Sequence, residues 1–297
     1  MVNNMDGVIV VDKPQGWTSH DVVGKMRRLA GTKRVGHLGT LDPLATGVLP
    51  LVLNQATRLS QFFVRVEKVY LATVILGQAT DSYDAEGEPT GPFQTTNFTA
   101  EEIEKALSKF RGTMDQMPPQ VSAKKINGVP AYKLARRNEP VELKAVTVTI
   151  ARLELVSLVE NRLEILVECS GGTYIRSIAH DLGVALGCGA HIGTLRRTRS
   201  GSFEISQART LEELAKLSEA GRLSEALLPN AELLPDYPYE QVDDAVAQQI
   251  RHGRDFHTSP FNVPQGSKYV KAIGADGTLI AIGEAKLPNL YHPIVVL

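Results

Sequence analysis

Asp42 is the carboxylate in this chain best placed to do chemistry. It lies in Gly36–Leu49, GHLGTLDPLATGVL, with a histidine and two glycines before it and a proline and a glycine after it. Directly downstream, Val48–Leu53 (VLPLVL) is an apolar run that reads as a buried strand. An acid on a glycine-rich loop at the mouth of such a strand can be aimed at a ligand, because glycine lets the backbone come close. There a carboxylate could act as a covalent nucleophile. Equally, Asp42 could only begin an Asp-Pro turn, and His37 beside it could be a structural hydrogen-bonder. Other chemistries lack their residues. There is no GxxxxGK[ST], no GxGxxG after a strand and no GxSxG, so nucleotide triphosphate, nicotinamide and serine-hydrolase chemistry have no motif. His180, Cys188 and His191 are close in sequence but fit no zinc spacing. Neither a metal nor a cofactor is expected.

The elements that must carry these residues follow from periodicity and punctuation. Gly7–Val11 reads as a strand ending at Asp12-Lys13-Pro14, which leaves Lys13 as a solvated charge. Thr18 or Ser19 caps a helix with Val22, Val23, Met26 and Leu29 on one face and Gly31 at its end. A helix is expected near Gln55–Phe63. Val69–Leu76 alternates as a strand, with Tyr70, Ala72, Val74 and Leu76 on one face, so periodicity alone makes Tyr70 a core aromatic. Thr99 and Glu102 form a capping box for a helix over Thr99–Gly112.

Prolines, an Asn127-Gly128 turn and a short helix at Ala131–Arg137 mark Met117–Leu143 as an excursion from the core. Val141–Ile150, Ala151–Leu158 and Arg162–Cys169 read as three strands. A helix from about Thr173 turns Ile175, Ile178, Ala179 and Leu182 inward and leaves Arg176 near its amino end. The helix dipole disfavours a cation there, so Arg176 calls for a carboxylate partner or a surface salt bridge. A basic strand over His191–Phe203 and a helix over Thr210–Gly221 capped with Glu213 complete this part. From Pro235 the texture changes to a helix near Asp243–Arg251 and short strands at Lys268–Ile273, Leu279–Gly283 and Ile294–Leu297.

GHLGTLDPLATGVL resembles the catalytic motif of the TruB family, the tRNA pseudouridine-55 synthases. Three further blocks follow in the family's order: KPQGWTS at Lys13–Ser19, KVYLATVILGQATDSYDAEGE from Lys68, and CSGGTYIRSIAHDLG from Cys169. Met117–Leu143 resembles the family's thumb. One departure is Ser82-Tyr83, where the family more often has a Thr and a variable residue.

The resemblance implies an α+β pseudouridine-synthase fold: a large mixed, mainly antiparallel β-sheet flanked by helices, with the thumb inserted at about 117–143. It implies a catalytic domain over 1–234 and a small PUA-like RNA-binding β-barrel over 235–297. It implies that Asp42 is the essential acid, that Arg176 pairs with it, an arrangement that favours a carboxylate anion, and that Tyr70 stacks on the target base. It assigns Leu195 to the bound base, His37 to the space left by the flipped uridine, and Lys13 to support of the active site. The substrate implied is the T-arm of tRNA, its uridine flipped out of the loop.

Composition is compatible with this. The chain has 297 residues, 43% hydrophobic and 22% charged, with a net charge of −1. It has no membrane-length apolar run and no signal-peptide pattern, and Cys169 and Cys188 form no CxxC pair, which fits a cytoplasmic protein. Basic residues gather in three segments: Lys25–Arg34, Gln120–Pro140 (with Lys124, Lys125) and His191–Gly201 (with Arg196, Arg197, Arg199). Lys124, Lys125, Arg196 and Arg197 are therefore candidates for RNA phosphates, unless each cluster is only a solvated face. Two other functions stay open: a non-catalytic RNA-binding or RNA-folding module, and an RNA-guided synthase that needs protein and guide-RNA partners. The long insertion favours the stand-alone enzyme, with no obligate protein partner.

Overall fold

A computed structural model of the chain describes residues 5–119, 125–126, 129–130 and 144–297. Ten strands form the main sheet. Along it run β12 (Leu227–Pro229), β1 (Gly7–Lys13), β3 (Thr46–Leu53), β10 (Ala190–Ser200), β4 (Lys68–Leu76), β9 (Arg162–Cys169), β8 (Val146–Val159) and β5 (Gly112–Gln116). Two short strands, β2 (Val35–His37) and β11 (Phe203–Glu204), pair at the sides of β3 and β10. Neighbours are antiparallel except β3 and β10, which run parallel. That exception sets the amino end of β3, where the Asp42 loop arrives, beside Arg196 and Arg197.

The unbroken apolar strands are explained by burial on both faces. In β1 and β3, Ile9, Val11, Leu49, Leu51 and Leu53 enter one core, and Val8, Val10, Val48 and Val52 enter another. The first core is covered by α1 (Ser19–Leu29), α2 (Ala100–Leu107), α3 (Ile175–Leu186) and α4 (Leu211–Glu219), whose inward residues include Met26, Ile103, Ile178 and Leu214. Capping boxes at Thr18/Asp21, Thr99/Glu102 and Thr210/Glu213 set three of these helix starts. Such a cap stabilises a helix by about 1 kcal/mol.

The second core joins the back of the sheet and the 3₁₀ segment Asn54–Phe63 to Leu279, Ile282 and Val295 of the carboxyl-terminal part. There a separate five-stranded sheet curls into a half-barrel, in the order β13 (Tyr239–Val242), β15 (Tyr269–Gly274), β16 (Leu279–Leu287), β17 (Leu290–Val296), β14 (Phe256–His257). Helix α5 (Asp244–Arg251) packs on it through Ala247 and Ile250. Lys271 donates from this unit to the carbonyls of Ala231 and Leu233.

Two expectations change. Val146–Val159 is one strand of 14 residues rather than two, because nothing at Ile150-Ala151 turns the chain; β-bulges near those residues and near Leu155–Ser157 absorb the irregularity. The helix beginning after Thr99 ends at Leu107 and gives way to a 3₁₀ turn over Ser108–Phe110. Of the insertion, only residues 117–119 and the strands β6 (Lys125–Ile126) and β7 (Val129–Pro130), paired antiparallel, are described. The Ala131–Arg137 helix lies outside the described residues. No helix among the described residues is long and apolar enough to cross a membrane.

Candidate active site

A cleft of about 360 Å³ opens where the Asp42 loop, β4, β10 and the start of α3 meet. Its lining includes Asp42, Tyr70, Arg176, Leu195, Arg197 and Lys68. Three adjacent strands bring these together. Arg197 lies opposite Gly47 on one side and Tyr70 on the other, and Leu195 lies opposite Ala72.

The loop that carries Asp42 is held from several directions. Ser19 Oγ donates to the Leu41 carbonyl at 3.0 Å and accepts from the Leu41 amide at 2.8 Å. Arg197, fully buried, donates to the carbonyls of Val48 (2.7 Å), Gly39 (3.0 Å) and Thr40 (3.4 Å). Lys13, also fully buried, donates to the carbonyls of Pro14 and Pro43 at 2.9 and 3.3 Å. Gly47 makes the close approach possible: at φ 97°, a Cβ there would sit 2.2 Å from the Arg197 carbonyl oxygen. The backbone around Asp42 is therefore fixed before any substrate arrives.

Asp42 itself is 36% exposed, and its Oδ2 lies 3.0 Å from Nε of Arg176, which is 5% exposed. Arg176 is held in turn. Its Nη1 lies 3.2 Å from Asp84 Oδ2 and donates to the Ser82 carbonyl at 2.8 Å. Asp84 is buried and takes hydrogen bonds from Ser82 Oγ (2.6 Å) and the Glu86 amide (3.1 Å) through Oδ1. Tyr83, at φ 66°, stacks on His180 with 3.8 Å between ring centres, which anchors the segment that presents Ser82 and Asp84. The carboxylate partner that the helix start calls for is thus a pair, one acid at the cleft and one behind it.

Burial also tunes the neighbours. Tyr70 is almost wholly buried, which raises its phenol above the usual value, with the Arg197 cation opposing. A phenolate is therefore not the resting form near neutral pH, and the ring is suited to stacking. Lys13 and Lys68 are each pushed down to about 8 by burial, an effect that Asp42 opposes for Lys13 and Arg197 reinforces for Lys68. Glu86, beside Asp84 and Asp42, is raised by burial first and by those two acids second. His37 is lowered by burial, then by Arg197 and His20.

Residues 27–175 match the model of the TruB family pseudouridylate synthase N-terminal domain, and residues 176–234 match that of the tRNA pseudouridylate synthase B C-terminal domain. The chain belongs to the TruB family. Among its relatives, tRNA pseudouridine synthase B of Solibacter usitatus (strain Ellin6076) is 58% identical over 99% of this chain and all of the relative. The protein of that name from Arthrobacter sp. (strain FB24) is 44% identical over 97% of each chain. Among solved structures, an H/ACA RNP bound to a substrate RNA containing 2'-deoxyuridine has a chain 25% identical at a TM-score of 0.74, covering 99% of this chain and 85% of that one. A Cbf5-Nop10-Gar1 complex gives 27% identity and a TM-score of 0.74, over 97% and 83%. As a TruB-family pseudouridine synthase, the protein is an isomerase.

Within this TruB fold the candidate residues part ways. Asp42, Tyr70, Arg176 and Leu195 share the cleft. His37 lies outside it on β2, opposite Leu51, and its Nδ1 is buried without a hydrogen-bond partner among the described residues. Two candidates for RNA phosphates, Arg196 and Arg197, need correction. Arg197 and Lys13 are fully buried on loop carbonyls and present no surface to phosphates, so both are supports of the loop. Lys13 is accordingly not the solvated charge that its place after a strand suggests. Arg196 is bound to Asp12 through two hydrogen bonds, and Arg199 to Glu168, so the basic run on β10 is neutralised by acids from neighbouring strands. Lys124 lies outside the described residues; for Lys125 only the backbone, in β6, is described. Spacing on the strand could have exposed one further residue. Lys68 stands two positions before Tyr70 and therefore shares its face.

Proposed function

We propose that this cleft converts uridine 55 in the T-loop of tRNA to pseudouridine, with Asp42 as the essential carboxylate and no cofactor. The observation that carries the reading is the Arg176 bridge: a buried guanidinium, fixed from behind by Asp84 and Ser82, aims the only cleft-lining carboxylate among the described residues. A cleft of about 360 Å³ is of ligand-pocket size, within roughly 300–1,000 Å³. A flipped uracil would lie on the Tyr70 ring with Leu195 beside it, and stacking on an aromatic is worth roughly 1–3 kcal/mol per base.

The isomerisation breaks the N1–C1′ and C5–H bonds and makes the C5–C1′ and N1–H bonds. It needs no oxidant and no second substrate. The carboxylate supplies the nucleophile that divides the exchange into two steps, and Arg176 holds it at a fixed angle. The essential-acid role of Asp42 and the stacking role of Tyr70 are read from this arrangement together with the family motifs. The half-barrel from about residue 235 onward is assigned to RNA outside the cleft, as is the thumb, so binding weakens as salt rises.

The test is to incubate the purified protein alone with an unmodified tRNA transcript and map pseudouridine along it. One modified site, in the T-loop, is expected without guide RNA or partner protein. Modification only after a guide RNA is added would favour the RNA-guided reading, to which the structural neighbours' RNP setting points. Modification only at other sites would remove the T-loop assignment.

A further inference from the structure

Three lysines are buried among the described residues: Lys13, Lys68 and Lys271. Lys13 and Lys271 each donate to at least two backbone carbonyls, and both are structural. Lys68 differs. It is 6% exposed, its ammonium makes one hydrogen bond, to the Val66 carbonyl at 2.9 Å, and it has no carboxylate partner among the described residues. Its charged neighbour is another cation, Arg197. A buried ammonium with spare donors is costly unless something satisfies them.

The surroundings leave room for that partner. Lys68 lines the cleft and shares a strand face with Tyr70, two residues away. Glycines stand on two sides of it: a methyl group on Gly171 would come within 3.1 Å of Nζ, and one on Gly39 within 3.4 Å of Cε. A flipped nucleotide enters base first, because its phosphates stay with the RNA chain. The edge of a base lying on Tyr70 therefore reaches the depth at which Lys68 sits, whereas a phosphate stays at the mouth near the more exposed Asp42.

We propose that Lys68 donates to a carbonyl oxygen of the bound uracil and stabilises the negative charge that gathers on the base as the N1–C1′ bond breaks. The electron pair of that bond moves onto the uracil and spreads to its carbonyl oxygens; Lys68 keeps its proton throughout. The charge is discharged when C5 bonds to C1′, the C5 proton leaves and N1 takes a proton. Burial lowers Lys68 only to about 8, so it is still an ammonium at neutral pH. This inference rests on the cleft being the uridine site.

Single-turnover rates and tRNA affinity should be measured for wild type, Lys68→Met, Lys68→Gln, Lys68→Arg and, as a control, Asp42→Asn. Removing one donor aimed at developing charge lowers the rate by about 10²–10³. That loss is expected for Lys68→Met and Lys68→Gln at tRNA affinities within about threefold of wild type, which also shows that they fold. Lys68→Arg, keeping the charge, should recover at least about tenfold of the loss. The proposal is overturned if Lys68→Met turns over within about threefold of wild type, or if Lys68→Arg is as slow as Lys68→Met. It is equally overturned if the whole effect falls on affinity with a shallower salt dependence, the mark of a phosphate contact. Should neither neutral variant fold, Lys68→Arg decides: a rate no more than about 100-fold below wild type supports the proposal and a slower one overturns it. Full activity in Asp42→Asn would instead remove the reading of the cleft, whatever Lys68 does.

Discussion

At the cleft, Arg176 and Asp84 are each 5% exposed and joined to each other, and Arg176 is joined also to Asp42 and to the Ser82 carbonyl. On the half-barrel, Asp255 also gathers two side chains, Lys286 and His292, at 2.7 Å each, but the lysine is 58% exposed and the histidine 51%. Each cluster has one central side chain with two partners, at 3.0 and 3.2 Å in the cleft and 2.7 Å on the half-barrel; burial and backbone contact separate them. Arg176 donates to the Ser82 carbonyl and Asp84 accepts from the Glu86 amide, so the cleft ions transmit position from one segment to another. The half-barrel lysine and histidine are more than half exposed, and such pairs contribute little to stability. A charge cluster becomes machinery when its geometry is set by the chain on every side.

The comparison can be broken by mutation. Arg197→Met leaves the buried Val48 carbonyl and the part-buried carbonyls of Gly39 and Thr40 without their donor, and a buried group so left costs roughly 1–3 kcal/mol. Chemical denaturation should show a loss of about 3 kcal/mol, together with loss of turnover. Arg176→Met frees the Asp42 carboxylate from its fixed angle. Because a misplacement of about 1 Å costs on the order of 10²-fold, single-turnover rates should fall by that factor or more while tRNA still binds. Asp84→Asn keeps a hydrogen-bond acceptor behind Arg176 but removes the charge, and a drop of about tenfold, or 1.4 kcal/mol, is expected in the same assay. Lys286→Ala, on the half-barrel, should leave both rate and unfolding midpoint at wild-type values. A large effect there, or none at Asp84, would erase the distinction.

A smaller effect tests burial itself. Lys68 in the folded chain sits at about 8 against an ordinary 10.5. Between those values the unfolded chain binds the extra proton, so this residue makes stability rise with pH across that window. Unfolding midpoints compared from pH 8 to 10.5 should therefore climb less, or fall more, in Lys68→Met than in wild type. Parallel curves would mean that the ammonium is well solvated.

Local rules made much of this legible. The capping boxes at Thr99 and Thr210 and the alternation through Tyr70 read directly, since both depend on neighbours a few residues apart. Arg176 at a helix start announced a missing anion, although the dipole argument could not say which acid supplies it. What the sequence hid was partnership across strands. Arg196, Arg197 and Arg199 look alike in a row with no acid between them, yet Asp12, three loop carbonyls and Glu168 take one each, from segments more than 25 residues away. For Lys13 its place after a strand allowed a solvated charge while the family motif implied support, and the carbonyl of Pro43 that it holds arrives from the neighbouring loop. Such pairings are set by sheet order, above all by the parallel contact of β3 with β10, which no local pattern encodes.

The central claim is that the Asp42 carboxylate performs the isomerisation and does not merely shape its loop. Asp42→Asn preserves size and turn-forming capacity and removes only the charge. Single-turnover pseudouridine formation in an unmodified tRNA transcript, measured beside tRNA affinity, is the direct test. The account predicts no detectable product at an affinity close to wild type; product at the wild-type rate would contradict it.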